Sequence, residues 1–142
     1  MKAIGHANWT GSWKNGSGTL ATETPAARDM PYTFSSRFEG APGASPEELL
    51  AVAQAGCFNQ ALANNFGMIG LEASRIETSV AIDLIIDDEG HPKILGLHVT
   101  VAAAAPDITQ EQFERCAERA RTNCTIAKLL NQPLGMTATL LD

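Results

Sequence analysis

The residues that could do chemistry in this chain are three cysteines, three histidines and a pair of adjacent serines. His6, His91 and His98 stand in strand or turn contexts with no H-x-x-H or C-x-x-C spacing. A metal site would need ligands converging from distant segments, so we read the histidines as structural or surface residues. No G-x-G-x-x-G follows a strand, no phosphate-cradling loop is present, and Gly16-Ser17-Gly18 reads as a turn. Ser35-Ser36 lacks the frame of a nucleophile elbow. Nucleotide binding and serine acyl transfer fall away. Thiol chemistry is left.

Three cysteines is an odd number, which argues against a closed structural disulfide framework. A thiol reacts as its thiolate and is mostly protonated at neutral pH, so a reactive cysteine needs a cation or a helix N-terminus beside it. Cys116 lies among Phe113, Ala117 and Ala120 and fits a small buried hydrophobe. Cys57 falls within an apolar helical pattern and, on that pattern alone, reads the same way. Cys124 follows Thr122-Asn123, a fresh N-cap, and is expected to open a new helical segment whose unpaired N–H groups favour a thiolate.

These residues need elements to hold them. Residues 3–13 and 17–22 read as strands around the turn Lys14-Asn15-Gly16. A third strand is expected over 32–38, with Tyr32, Phe34, Ser36 and Phe38 on one face and Thr33, Ser35 and Arg37 on the other. Ser45, Pro46 and Glu48 then form a strong helix start, a capping box with proline at the first helical position. The helix runs from about Pro46 to Phe66, stops at Gly67 or Gly70, and carries Leu50, Ala53, Cys57, Ala61 and Leu62 on its apolar face. Residues 74–86 and 93–105 read as long strands joined by Asp87-Asp88-Glu89-Gly90, the second alternating through Leu95, Leu97, Val99 and Val101. Thr109 and Gln112 form another capping box, Pro133 ends the helical region, and 134–141 is a last strand. The order β-β-β-α-β-β-α-β gives an α+β fold on mostly antiparallel sheet, one domain over residues 1–142.

Composition narrows the partners. Over 142 residues, 44% hydrophobic and 18% charged is a folding chain, and the 6% aromatic content gives no stacking platform for single-stranded nucleic acid. Ten basic against sixteen acidic residues leaves a net charge of -6, which argues against nucleic acid and against an anionic membrane surface. No apolar run is long enough to span a bilayer and the first residues carry no signal-peptide pattern, so a reducing cytosol is the expected compartment.

The segment Ser45-Pro46-Glu47-Glu48-Leu49-Leu50-Ala51-Val52-Ala53-Gln54-Ala55-Gly56-Cys57-Phe58 closely resembles the central-helix signature of the OsmC/Ohr family, the osmotically inducible and organic hydroperoxide resistance proteins. Asn123-Cys124-Thr125-Ile126-Ala127-Lys128-Leu129-Leu130 is similar to that family's second cysteine motif, and Ser36-Arg37-Phe38-Glu39-Gly40 looks like the arginine segment of its OsmC branch. Thr125-Ile126-Ala127 departs from the Pro-Val-Ser that members often carry after the second cysteine. The resemblance implies mostly antiparallel sheets wrapped around two central helices in an intertwined homodimer. It implies a peroxidatic Cys57, a resolving Cys124, an active-site Arg37 and a Glu47 that holds the arginine. Cys116 receives no role from it.

The implied chemistry suits these residue types. A Cys57 thiolate would cleave the O–O bond of an organic hydroperoxide, leaving an alcohol and a sulfenic acid, and Cys124 would condense with it to a disulfide. An external dithiol, dihydrolipoyl-type by the resemblance, would reduce that disulfide. No metal, haem or flavin is called for. Phe58 and Leu62 are expected to give the site its apolar lining. Glu47 and Cys57 stand ten residues apart, about 15 Å along one helix, too far for one guanidinium to bridge easily. Pairing Arg37 with the Glu47 of a second subunit eases that geometry. Two other readings use the same fold: a non-catalytic dimeric module binding an apolar ligand, and a slow thiol redox sensor. The full set Cys57, Cys124, Arg37 and Glu47 speaks against the binder.

Overall fold

The computed structural model describes residues Met1–Asp142 as two compact units, Met1–Leu49 and Leu50–Asp142. In the first, β1 (Gly5–Thr10), β2 (Ser17–Thr22) and β3 (Met30–Thr33) form an antiparallel sheet in that order. Gly18 sits in register between Trp9 and Tyr32. A Cβ there would lie 2.0 Å from the Asn8 carbonyl and 2.7 Å from the Tyr32 ring, so only glycine leaves the two aromatic rings free to meet across it, at 5.1 Å.

The strand expected over 32–38 is half right. β3 ends at Thr33, and Phe34–Phe38 is a short helix, α1. The reason is local. Thr33 caps the turn by accepting the Ser36 N–H at 3.0 Å, and the Ser36 hydroxyl accepts the Thr33 N–H at 2.9 Å. Helical spacing then brings Phe34 and Phe38 together, ring centroids 4.9 Å apart, where a strand would have placed them two residues out of contact. Arg37 therefore lies on a helix.

The second helix, α2 (Pro46–Gly67), starts where its signals place it, with the Ser45 hydroxyl accepting the Glu48 N–H at 3.0 Å. Its buried face is rotated from the expected one. Gln54, Phe58, Leu62, Asn65 and Phe66 are buried, Ala53 is exposed and Cys57 lies at the flank, half-buried. Two amides interrupt the hydrophobic pattern, so counting apolar residues alone shifts the stripe by one position.

In the second unit, β4 (Arg75–Ile86) pairs antiparallel with β5 (Pro92–Ala104), which pairs parallel with β6 (Leu134–Leu140). The hairpin turn is held by Asp87, whose carboxylate accepts the N–H groups of Glu89 and His91 at 3.0 and 2.8 Å. The register shifts between Asp83 and Leu84, which face Gly96 and Ile94. Leu95 is the extra residue of this bulge. It is 49% exposed, whereas Leu97, Val99, Val101 and Ala103 point into the core. The alternation expected from Leu95 onward thus begins one pair later.

α3 (Gln110–Asn123) carries both bonds of the Thr109–Gln112 capping box and buries Phe113, Cys116, Ala117 and Ala120, as its spacing predicts. Phe58, Leu62 and Phe66 of α2 join these residues and the inward side chains of β5 in one core. No helix is long and apolar enough to cross a membrane.

The bulge makes a direct prediction. Leu97→Ala should lose about 3 kcal/mol in chemical denaturation, and Leu95→Ala only about 0.5 kcal/mol. Equal losses would mean that the register has been misplaced.

Candidate active site

The second unit brings two of the expected residues together. Cys57 extends from the middle of α2, and Cys124 is the residue that closes α3. Both are free thiols, and Cys57 is near enough to add to the upward push on the Cys124 pKa. Cys124 does not open a helix. Its backbone is extended, and a single 3-10 turn follows at Ala127–Leu129. Backbone donors are nevertheless present, although burial outweighs them at Cys124. Two successive backbone N–H groups of that turn reach the two sulfurs, Ile126 donating to Cys57 Sγ at 3.4 Å and Ala127 donating to Cys124 Sγ at 3.3 Å. Such donors stabilise charge on sulfur without any side chain.

Gln54, one turn before Cys57, was not a candidate from the sequence. It is fully buried, and its carboxamide meets Cys124 Sγ twice, Nε2 donating at 3.4 Å and Oε1 accepting from the thiol at 3.6 Å. A glutamine amid apolar helical positions was the available signal. Burial pushes the Cys124 thiol above its ordinary pKa, and the adjoining Cys57 adds to the rise, while the Ala127 N–H and Gln54 pull it down.

Cys116 sits apart, buried in the core, with its carbonyl accepting the Asn65 side-chain N–H at 2.9 Å. Burial raises its pKa too, against the pull of Arg115 and Arg119. Phe58 and Leu62 are fully buried in the same core, so they line no substrate path. No group of three or more His, Cys, Asp or Glu side chains converges to hold a metal ion.

The first unit holds the other two expected residues. Arg37 grips Glu47 through a fork: Nε donates to Oε1 and Oε2 at 3.0 and 3.1 Å, and Nη2 donates to Oε1 at 2.5 Å. Both belong to one chain. The loop between α1 and α2 folds back on itself: the Ser36 hydroxyl donates to the Ala44 carbonyl at 2.9 Å and Ala44 N–H donates to Pro31 at 2.8 Å. The first turn of α2 returns to Arg37 as a result. The guanidinium also stacks 4.8 Å over the Phe38 ring and forms a wall of a cavity of about 440 Å³ lined by Trp9, Trp13, Tyr32, Phe34 and Phe38.

Residues 38–138 match the model of the OsmC family, described as OsmC-like protein. The chain belongs to the OsmC-like family. It is 34% identical over 132 residues to Peroxiredoxin OsmC of Escherichia coli (strain K12), spanning 93% of this chain and 92% of that protein. In fold it is similar to an OsmC-like protein from Mycoplasma pneumoniae, with a TM-score of 0.77 at 12% identity over 100% of this chain and 99% of that one. It is also similar to the organic hydroperoxide resistance protein OhrB of Bacillus subtilis, with a TM-score of 0.69 at 21% identity over 97% of this chain and 98% of that one. The expected α+β OsmC/Ohr fold is thus present, as two three-stranded sheets and two main helices.

The raised thiols predict how stability depends on pH. A group whose folded-state pKa is raised stabilises the fold below its unfolded pKa, about 8.5 for cysteine, and loses that contribution as pH climbs. Stability of the reduced protein should therefore fall above about pH 8.5, by up to about 1.4 kcal/mol per pH unit for each thiol. Denaturation midpoints of Cys116→Ser and Cys124→Ser should each show a shallower fall.

Proposed function

We propose that this protein is a thiol-dependent peroxidase that reduces organic hydroperoxides to alcohols. The observation that carries this reading is the pairing of two free thiols, Cys57 half-buried and Cys124 buried, with a backbone N–H on each sulfur. A family whose relative is called a peroxiredoxin supports it. In this reading the Cys57 thiolate attacks the terminal peroxide oxygen. An S–O bond forms, the O–O bond breaks, and the alkoxide takes a proton to leave as alcohol. Cys124 then attacks the Cys57 sulfenic acid, an S–S bond forms, and the hydroxyl leaves as water with the Cys124 proton. An external dithiol returns both thiols. Arg37, oriented by Glu47, is the permanent cation in this reading. Because Glu47 stands about 15 Å along α2 from Cys57, the pair would serve the thiolate of a second subunit. No metal, haem or flavin takes part.

We further infer a homodimer. The first unit buries no apolar side chain, and a three-stranded sheet without a core is marginal by itself. Val52 and Leu129 stand 64% and 78% exposed.

Steady-state consumption of cumene hydroperoxide with a dithiol reductant tests the activity. Cys57→Ser should abolish it, Cys116→Ser should retain most of it, and Cys124→Ser should turn over once and accumulate sulfenic acid. Loss of activity in Cys116→Ser with full activity in Cys124→Ser would reverse the assignment of the resolving thiol. Subunit mixing tests the single-chain Arg37–Glu47 pair. Mixed dimers of Arg37→Ala and Glu47→Ala should stay inactive despite proven exchange, because neither chain retains both members. Pairing across chains would restore one site in every mixed dimer.

A further inference from the structure

A buried amide is expensive unless both its ends find partners, so the partners of Gln54 say what holds it there. Its environment is fully closed to solvent, and the sulfur of Cys124 meets both ends of its carboxamide. Glutamine offers a donor and an acceptor on one rigid plane, and a thiol needs the acceptor while it keeps its proton and the donor once it has lost it. A single carboxamide thus serves Cys124 in both states. The other groups facing this sulfur are the Ala127 N–H from the turn after α3 and Cys57 from α2, and Cys57 is the titratable one.

We propose that Gln54 is a positioning residue for the disulfide-forming step: its carboxamide holds Cys124 Sγ beside Cys57 and offers the sulfur a donor as its proton leaves. The proposal rests on the peroxidase reading and deepens it. In the step concerned, Cys124 Sγ bonds to Cys57 Sγ and the Cys57 S–O bond breaks. The hydroxyl takes the Cys124 proton and departs as water, Cys57 sulfur being reduced and Cys124 sulfur oxidised. A buried thiol is slow to release a proton into apolar surroundings, and Nε2 stabilises the negative charge that develops on it. The Cys57 sulfur receives its backbone donor from Ile126, so the attack on peroxide needs nothing from Gln54. The two steps should separate on substitution.

Gln54→Met keeps the volume and removes both polar contacts. With stoichiometric cumene hydroperoxide, sulfenic acid on Cys57, trapped by dimedone, should form at the unaltered rate. Loss of the second thiol should slow by about tenfold, the size expected for a lost hydrogen bond to a charged group. Over-oxidation of Cys57 to sulfinic acid should rise accordingly. Gln54→Glu supplies acceptors without a donor and should move the pH profile of disulfide formation upward. A second arm needs no peroxide: in Cys57→Ser protein, adding Gln54→Met should shift the pH profile of Cys124 alkylation upward. Disulfide formation at the original rate with an unmoved alkylation profile would overturn the proposal. So would equal slowing of both steps with a lowered melting temperature, since that marks general damage to packing. If the unmodified protein fails to react with hydroperoxide, the peroxidase reading fails, and the alkylation arm alone decides for or against the hold of Gln54 on Cys124.

Discussion

Burial of one face of α2 is the constraint from which the thiol site follows. Phe58, Leu62 and Phe66 are fully enclosed against β5 and α3, and each such side chain contributes about 1.5–3 kcal/mol of hydrophobic stabilisation. That packing fixes the rotation of the helix about its axis. Once Phe58 points inward, Cys57 must lie about 100° away, at the edge of the core, where a small reactant can meet it. The same rotation aims Gln54, four residues before Phe58, at the end of α3. Cys124 waits there.

Two buried amides inside this packing are matched. Asn65 reaches across to the Cys116 carbonyl and ties α2 to α3 at one height, while Gln54 does so at the other end through Cys124. Apolar contacts tolerate sliding, whereas hydrogen bonds between specified atoms set the register. The relative height of the two sulfur atoms is therefore held by two amides at separate points. The Arg37–Glu47 fork plays a comparable part in the first unit, fixing α1 against the start of α2.

Local signals that use side chain and backbone together were legible in the sequence. The Ser45–Glu48 bond, the Thr109 box, Pro46 and a glycine stop expected at Gly67 or Gly70 all act within one turn, and α2 and α3 begin as they dictate. The four residues of thiol and ion-pair chemistry were legible through motif resemblance, since their spacing on separate elements carries no short-range pattern. What escaped depended on competition. Thr33 and Ser36 cap a turn inside a segment whose aromatic alternation also suits a strand, and two hydrogen bonds decide the matter. Leu95 sits in an unbroken alternation and is displaced by a bulge in β5 that shows only in the pairing with β4. The face of α2 was misjudged because Gln54 and Asn65 look solvent-bound until their partners, some fifty to seventy positions away in sequence, are known.

The glycine at position 18 has an optical consequence. By letting Trp9 settle against Tyr32, it places one indole on the aromatic cavity whose wall includes Arg37, and Trp13 lines the same space against Phe34 and Phe38. These are the two tryptophans of the chain. Intrinsic fluorescence therefore comes from the arginine-bearing cavity, and an apolar guest entering it would displace water from both emitters at once. The thiols, carried in the other unit on α2 and after α3, contribute no such chromophore. The molecule thus carries a built-in lamp on its aromatic cavity, with thiol titration left to report on sulfur.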